Sequence, residues 1–296
     1  MKPVVIAMPG NERLSRELAA QLELDQGAVT VRRFPDGESH VRIDTPVQGR
    51  RAIIVCTLDR PDDKLVPLFL LACAVREAGA VSVGLVAPYL AYMRQDQRFQ
   101  PGETVSARHV AAWISRHVDW LVTVDPHLHR IADLSQVYSI PSRVVHAAEG
   151  IASWVRSQVR RQPLLIGPDE ESAQWVSDVA RRADAPFVVL TKTRRGDRDV
   201  KVSVPEVDRW RSYTPVLVDD IVSTARTMIE TVSHLRRSGL AAPVCVAVHA
   251  VFAQTAFEDL RAAGAADIVS CDTIEHPSNR IALAPAIAAS VRELLP

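Results

Sequence analysis

An excess of charge of either sign is missing from this 296-residue chain: Lys and Arg total 35, Asp and Glu 35, and the formal net charge is zero. A balanced chain lacks the basic stripe of a general nucleic-acid binder and the polybasic segment of an anionic-membrane binder. Cysteine is scarce, with Cys56, Cys73, Cys245 and Cys271 scattered and none in a C-x-x-C pair. Three of them sit in or near apolar runs, so the expectation is buried free thiols in a reducing compartment rather than a disulfide framework. No stretch reaches the roughly 18 uninterrupted apolar residues of a membrane span. The N-terminus runs straight into a strand-like Pro3-Val4-Val5-Ile6-Ala7-Met8, without the basic segment and long apolar core of a secretory signal. These absences predict a cytoplasmic protein that partners neither nucleic acid nor membrane. A low-complexity linker is absent too, so whatever domains exist pack tightly.

What the chain does have is apolar content, at 47% of residues, and a length that as a prior means two domains. Short apolar runs alternate with helical patterns almost from end to end. Strands are expected at 4–8, 29–34, 52–56, 81–87, 120–124, 164–166, 187–190, 215–218, 244–248 and 267–270. Helices are expected at 12–22, 62–77, 104–117, 148–160, 171–182, 225–237 and 255–263. In the third helix Ala107, Val110, Ala111, Ile114 and Val118 form one apolar stripe. Such alternation predicts an α/β fold of parallel sheets flanked by helices. A polar loop after a strand occurs near Pro88 and again near Asp219, with later polar turns at Asp125 and Asp272. This reads as a repeat of two related halves, 1–145 and 146–296. An Ala-rich helix at 281–295 closes the chain and is free to pack on the N-terminal half.

The richest stretch is 214–227, Thr-Pro-Val-Leu-Val-Asp-Asp-Ile-Val-Ser-Thr-Ala-Arg-Thr. An apolar strand ends in Asp219 and Asp220. A hydroxyl-rich turn of Ser223, Thr224, Ala225, Arg226 and Thr227 follows, then a helix with Met228, Ile229, Val232 and Leu235 on one face. Hydroxyls and free backbone N–H groups at a helix N-terminus hold a phosphate. Carboxylates at a strand's C-terminal end lie where open α/β sheets bind ligands. The combination suits a sugar phosphate: acids accept from hydroxyls while the turn grips the phosphate.

Other polar segments also follow strands. Phe34-Pro35-Asp36-Gly37-Glu38 is a turn with a hairpin reading into 40–43. Pro88-Tyr89-Leu90-Ala91-Tyr92-Met93-Arg94-Gln95-Asp96 combines aromatics, a guanidinium, an amide and a carboxylate, a set that grips nucleotides. Asp125-Pro126-His127-Leu128-His129 offers a His near a carboxylate, suited to a hydrated Mg²⁺, and its His-x-His spacing alone also fits Zn²⁺. Gly167-Pro168-Asp169-Glu170-Glu171 presents another strand-end carboxylate. Lys192-Thr193-Arg194-Arg195-Gly196 is a cationic stretch that reads as a basic hairpin or as a clamp on a transferring phosphoryl group.

Together, in this order, these motifs resemble the phosphoribosyl-pyrophosphate (PRPP) synthetase family, nearest its archaeal-type branch, over nearly the whole chain. The resemblance implies two tandem phosphoribosyltransferase-like domains. It implies Phe34, Asp36, Glu38, Arg94, Gln95 and Asp96 at ATP, with the first three serving a neighbouring protomer in a homo-oligomer. It implies His127 and Asp169 on Mg²⁺, Lys192 and Arg194 as catalytic groups, and Asp219, Asp220, Ser223, Thr224, Ala225, Arg226 and Thr227 on ribose 5-phosphate. The activity implied is diphosphoryl transfer from ATP to ribose 5-phosphate. Two segments depart from the family pattern. Ala225-Arg226 replaces Gly-Gly, which strains the chain if that position needs positive φ. Asp169 is followed by Glu170 and then by Glu171 and Ser172 where two glycines are usual, and Trp175 takes a basic position. Rival readings are a catalytically weak regulatory subunit, a phosphoribosyltransferase that consumes PRPP, and another pentose phosphate as acceptor.

Overall fold

The protein is seen in a computed structural model that describes residues 1–128, 130–169, 172–195, 199–203 and 207–295, with the main chain alone at 191–195, 199–203 and 207. It divides into two units, the first holding 1–145, 273–275 and 283–296, the second 146–272 and 276–282.

The first unit opens with β1 (Val4–Ala7), α1 (Glu12–Leu22) and β2 (Asp25–Gly27), then an antiparallel hairpin, β3 (Val29–Arg33) and β4 (Ser39–Ile43). It continues through β5 (Arg51–Val55), α2 (Asp62–Glu77), β6 (Ser82–Ala87), α3 (Ser106–Ser115), β7 (Trp120–Val124) and β8 (Ser142–Val145). Six strands pair in the order β2-β1-β5-β6-β7-β8, all parallel. Parallel strands covered on both faces read as continuous apolar runs, and Val4, Ile53, Ile54, Leu85 and Leu121 are accordingly fully buried. Gly84 on β6 is forced by its neighbour on β7, since a Cβ there would meet the Trp120 ring at 2.0 Å.

The second unit runs α4 (Ala148–Gln158), β9 (Pro163–Gly167), α5 (Ala173–Ala183) and β10 (Phe187–Val189), then a hairpin, β11 (Thr191–Arg195) with β12 (Asp199–Ser203). After it come β13 (Thr214–Val222), α6 (Arg226–Arg237), β14 (Val244–Ala250), α7 (Ala256–Ala262), β15 (Asp267–Cys271) and β16 (Asn279–Ile281). Its sheet order, β10-β9-β13-β14-β15-β16, repeats that of the first unit, again all parallel. Leu164, Ile166, Leu217, Val232, Leu235 and Leu260 fill the core between α6, α7 and this sheet. The last helix, α8 (Ala284–Leu294), belongs to the first unit, where it packs on α1, β7 and β8 and Arg143 pairs with Glu293 at 2.8 Å.

This topology moves the internal repeat by one strand. β5 corresponds to β13 and β6 to β14, so the counterpart of the Asp219 segment follows β5 and not β6. The polar loops near Pro88 and Asp219 therefore follow strands at different places in the repeat, β6 and β13.

Candidate active site

In the first unit three segments carry the expected residues. At the β3–β4 tip the Phe34 N–H donates to the Glu38 carbonyl at 2.8 Å and the Gly37 N–H to the Phe34 carbonyl at 2.9 Å. Gly37 takes φ 95°, and the Asp36 carboxylate accepts from the Glu38 N–H at 3.2 Å. The tip is therefore a tight turn, with Asp36 and Glu38 exposed and Phe34 38% exposed beneath the Arg32 guanidinium, 4.6 Å from its ring centre. An ion pair between Arg33 and Asp63 at 2.8 Å ties the hairpin to the first turn of α2.

The loop after β6 carries Arg94, Gln95 and Asp96. Asp62 of α2 accepts from the Tyr92 hydroxyl, and Tyr92 itself sits at φ 63°. Arg94 is exposed and Gln95 half-buried. Gln95 donates through Nε2 to Glu103 at 3.2 Å. The side chain of Asp96, only 2% exposed, accepts from the Arg130 main chain at 3.3 Å and from its guanidinium at 3.3 Å. β6 and β7 are parallel neighbours, so their C-terminal loops lie side by side, and Asp96 and Arg130 join them. After β7 the His127 N–H closes on the Asp125 carbonyl at 2.9 Å, with Asp125 at φ 30°, a tight turn that leaves His127 half-buried. His129 lies outside the described residues. Arg130 and Glu103 were not singled out in the sequence, where no motif separates them from other surface charges.

In the second unit Asp169 follows β9. Its main-chain carbonyl accepts from the Ser172 hydroxyl at 2.6 Å, and its carboxylate accepts from the Ser172 N–H at 3.2 Å. Glu170, Glu171 and residues 196–198 lie outside the described residues. Lys192 and Arg194 fall on β11, paired with Val202 and Val200 of β12.

β13 is longer than expected and includes Asp219 and Asp220 within the strand. Its pairing with β9 ends at Leu217, so the residues beyond overhang that neighbour. Asp219 accepts from the Asp220 N–H at 3.0 Å, and Asp220 from the Ile221 N–H at 2.7 Å. Burial first, then the charges of Asp220 and Asp169, hold the Asp219 carboxyl well above the ordinary carboxylate range. The structure thus brings Asp169, Asp219 and Asp220 into one negative field. Ser223, Thr224 and Ala225 then turn the chain into α6. Ala225 is buried at φ 56°, ψ 8°, the left-handed region that its replacement of Gly made a concern. α6 starts at Arg226 with no side-chain cap and no acid in its first turn, leaving a polarised end open to an anion.

Among the described residues no three His, Cys, Asp or Glu side chains form a cage for a metal. Mg²⁺ needs none, because it keeps several waters and takes one or two carboxylates beside substrate phosphates. The Asp169 and Asp220 carboxylates beside the buried Asp219 carboxyl make the kind of negative field that a hydrated dication relieves, so this acid cluster fits that ion. No helix among the described residues is long and apolar enough to cross a membrane.

Comparison with known proteins bears on the whole chain. Residues 3–117 match the N-terminal domain of ribose phosphate pyrophosphokinase, and residues 133–285 match the phosphoribosyl transferase domain. A ribose-phosphate pyrophosphokinase of Methanopyrus kandleri is 34% identical, covering 98% of this chain and 99% of its own. One from Halobacterium salinarum is 34% identical over 96% of this chain and 99% of its own. The crystal structure of phosphoribosylpyrophosphate synthetase from Mycobacterium smegmatis superposes with a TM-score of 0.86, covering 99% of both chains at 24% identity, which speaks for the fold.

Proposed function

The chain belongs to the ribose-phosphate pyrophosphokinase family, and we propose that it transfers the β,γ-diphosphoryl group of ATP to the anomeric hydroxyl of ribose 5-phosphate, giving PRPP and AMP. The observation that carries this reading is the Asp219-Asp220 pair beside the uncapped, acid-free start of α6. It joins acceptors for sugar hydroxyls to a cradle for the 5-phosphate. Four free cysteines, three of them buried, suit a reducing cytoplasm.

Asp219 and Asp220 accept from the ribose hydroxyls. Ser223, Thr224, Thr227 and the first N–H groups of α6 hold the 5-phosphate. Arg94 and Gln95 hold the nucleotide, and the exposed Phe34 tip with Asp36 and Glu38 serves the nucleotide of a neighbouring protomer. His127 and Asp169 would each hold a Mg²⁺ ion, which when bound would supply positive charge to the transferred phosphates. The anomeric oxygen attacks the β-phosphorus, the bond from that phosphorus to the oxygen bridging to the α-phosphorus breaks, and AMP departs with that oxygen. The hydroxyl proton passes to solvent. Lys192 and Arg194 stabilise charge on the transferring group, so positioning and electrostatics carry the rate.

The test is AMP formation by the purified protein with Mg-ATP and ribose 5-phosphate, with sugar-free and metal-free controls. AMP that appears only in the complete mixture is the expected result. A second reading, a nucleotide-binding partner subunit of low turnover, draws on the strained Ala225. ATP binding without AMP formation would favour it.

A further inference from the structure

We infer that Glu103 sets the purine selectivity of the nucleotide site by fixing which way the Gln95 amide points. The inference rests on the assignment of Gln95 to the nucleotide. One oxygen of Glu103, Oε2, accepts from the main-chain N–H groups of Phe99 at 2.8 Å and Gln100 at 3.0 Å. Main-chain N–H groups only donate, so this oxygen is an acceptor. The Gln95 atom that meets it at 3.2 Å must therefore be the amide nitrogen. The Gln95 main chain is held as well, its carbonyl accepting from the Ala107 N–H at 3.3 Å at the base of α3.

An amide is planar, with its oxygen and nitrogen diverging from one carbon. Anchoring the nitrogen on Glu103 turns the oxygen away from it, as an acceptor with no choice of role. A purine 6-amino group donates to such an oxygen. A 6-oxo group sets a second oxygen against it, and the amide cannot rotate to answer without losing Glu103. A free glutamine flips and serves either base, whereas this one discriminates. Glu103 touches no substrate in this account and acts through Gln95.

Calorimetric titration of the full-length protein with Mg-ATP and with Mg-ITP tests the idea, since these nucleotides differ only in the purine 6-substituent and in N1 beside it, which accepts in ATP and carries a hydrogen in ITP. Wild type favours ATP. In Glu103→Ala the preference falls by about tenfold, the scale of one hydrogen bond gained against one left unpaired. Glu103→Gln, whose amide oxygen can occupy the Oε2 position, retains the preference. If Glu103 only orders its loop, Glu103→Ala weakens both nucleotides in proportion and the ratio stays fixed, which overturns the inference. A wild type without preference overturns it equally. If Gln95→Ala binds both nucleotides as wild type does, the assignment of Gln95 to the nucleotide has failed, and the selectivity role fails with it.

Discussion

Strand β5 leads into α2 in the first unit as β13 leads into α6 in the second, and the two junctions share a bend. Arg60 sits at φ 51° two residues before α2, and Ala225 at φ 56° directly before α6. Their helix starts are filled differently. The first turn of α2 carries Asp62 and Asp63, which engage Tyr92 and Arg33. The first turn of α6 carries no acid. A helix N-terminus attracts negative charge whatever its source. In the first unit the protein's own carboxylates occupy that field and brace the hairpin and the nucleotide loop. In the second the field is left to a ligand. One topology therefore serves two purposes, and the end left unfilled is the one assigned to the sugar phosphate.

The hairpins extend the contrast, because β3–β4 and β11–β12 hold equivalent places in the two units. With Lys192 and Arg194 on the second and an aromatic and acids at the tip of the first, their loss should differ in kind. Lys192→Ala is expected to lower kcat about a thousandfold, the range seen when a charge-stabilising donor is removed, with ribose 5-phosphate affinity kept. Asp36→Ala is expected to raise the KM for ATP and leave kcat nearly intact. Steady-state kinetics of the two variants separates the roles, and equal losses in kcat would erase the distinction between the hairpins.

Giving α6 the character of α2 tests the filled-end argument directly. Thr227→Asp puts a carboxylate into the first turn of α6. The KM for ribose 5-phosphate should rise about a hundredfold, the scale of one or two charge-assisted hydrogen bonds lost, while ATP affinity is unchanged. A KM within twofold of wild type would mean the phosphate is held elsewhere.

The acids of the second unit make a further difference, read in stability. The Asp219 carboxyl is held above its ordinary value of 3.8 by burial and by Asp220 and Asp169. A raised folded-state value means the native state binds this proton more tightly than the unfolded chain does. Its stability contribution is full below the ordinary value and is lost as pH rises through the raised one. At neutral pH the native state therefore bears the cost of this carboxyl, whether as a buried charge or as a proton that the unfolded chain would release. Asp219→Asn should therefore lose transfer activity yet raise the Tm by roughly 3 °C near pH 7, with the gain shrinking toward pH 4. Thermal melts across that range decide it, and a gain independent of pH would refute the electrostatic cause.

The candidate site is legible as motifs because its residue types cluster in sequence: Asp219 and Asp220, late in β13, and the hydroxyls of the turn after it all lie within 219–227. The alternating α/β order was equally legible, since buried parallel strands are apolar throughout. What the sequence hid is what depends on packing between distant segments. β2 is polar and short, and its place in the sheet comes from pairing with β1. The carboxylate of Asp96 looked like a nucleotide contact, and only the folded chain shows it engaged by Arg130, a residue 34 positions away. Glu103 stood out by no motif, because its role arises from two main-chain donors that the loop's own curvature presents.

The shared bend gives the smallest expected effect and the finest test of the comparison. A non-glycine residue in the left-handed region costs about 1 kcal/mol, so Arg60→Gly and Ala225→Gly should each raise the Tm by roughly 2 °C. Arg60 is exposed on a junction already filled by acids, and its replacement should leave all kinetic constants alone. Ala225 is buried at the start of the open helix, where strain relieved in the free protein is strain relieved in the bound one only if the turn keeps its shape. Equal Tm gains, with the KM for ribose 5-phosphate changed in Ala225→Gly alone, would show that the two junctions share their backbone strain and differ in its use. A shift in KM from Arg60→Gly would break that division, because it would tie the filled end of the first unit to the sugar phosphate.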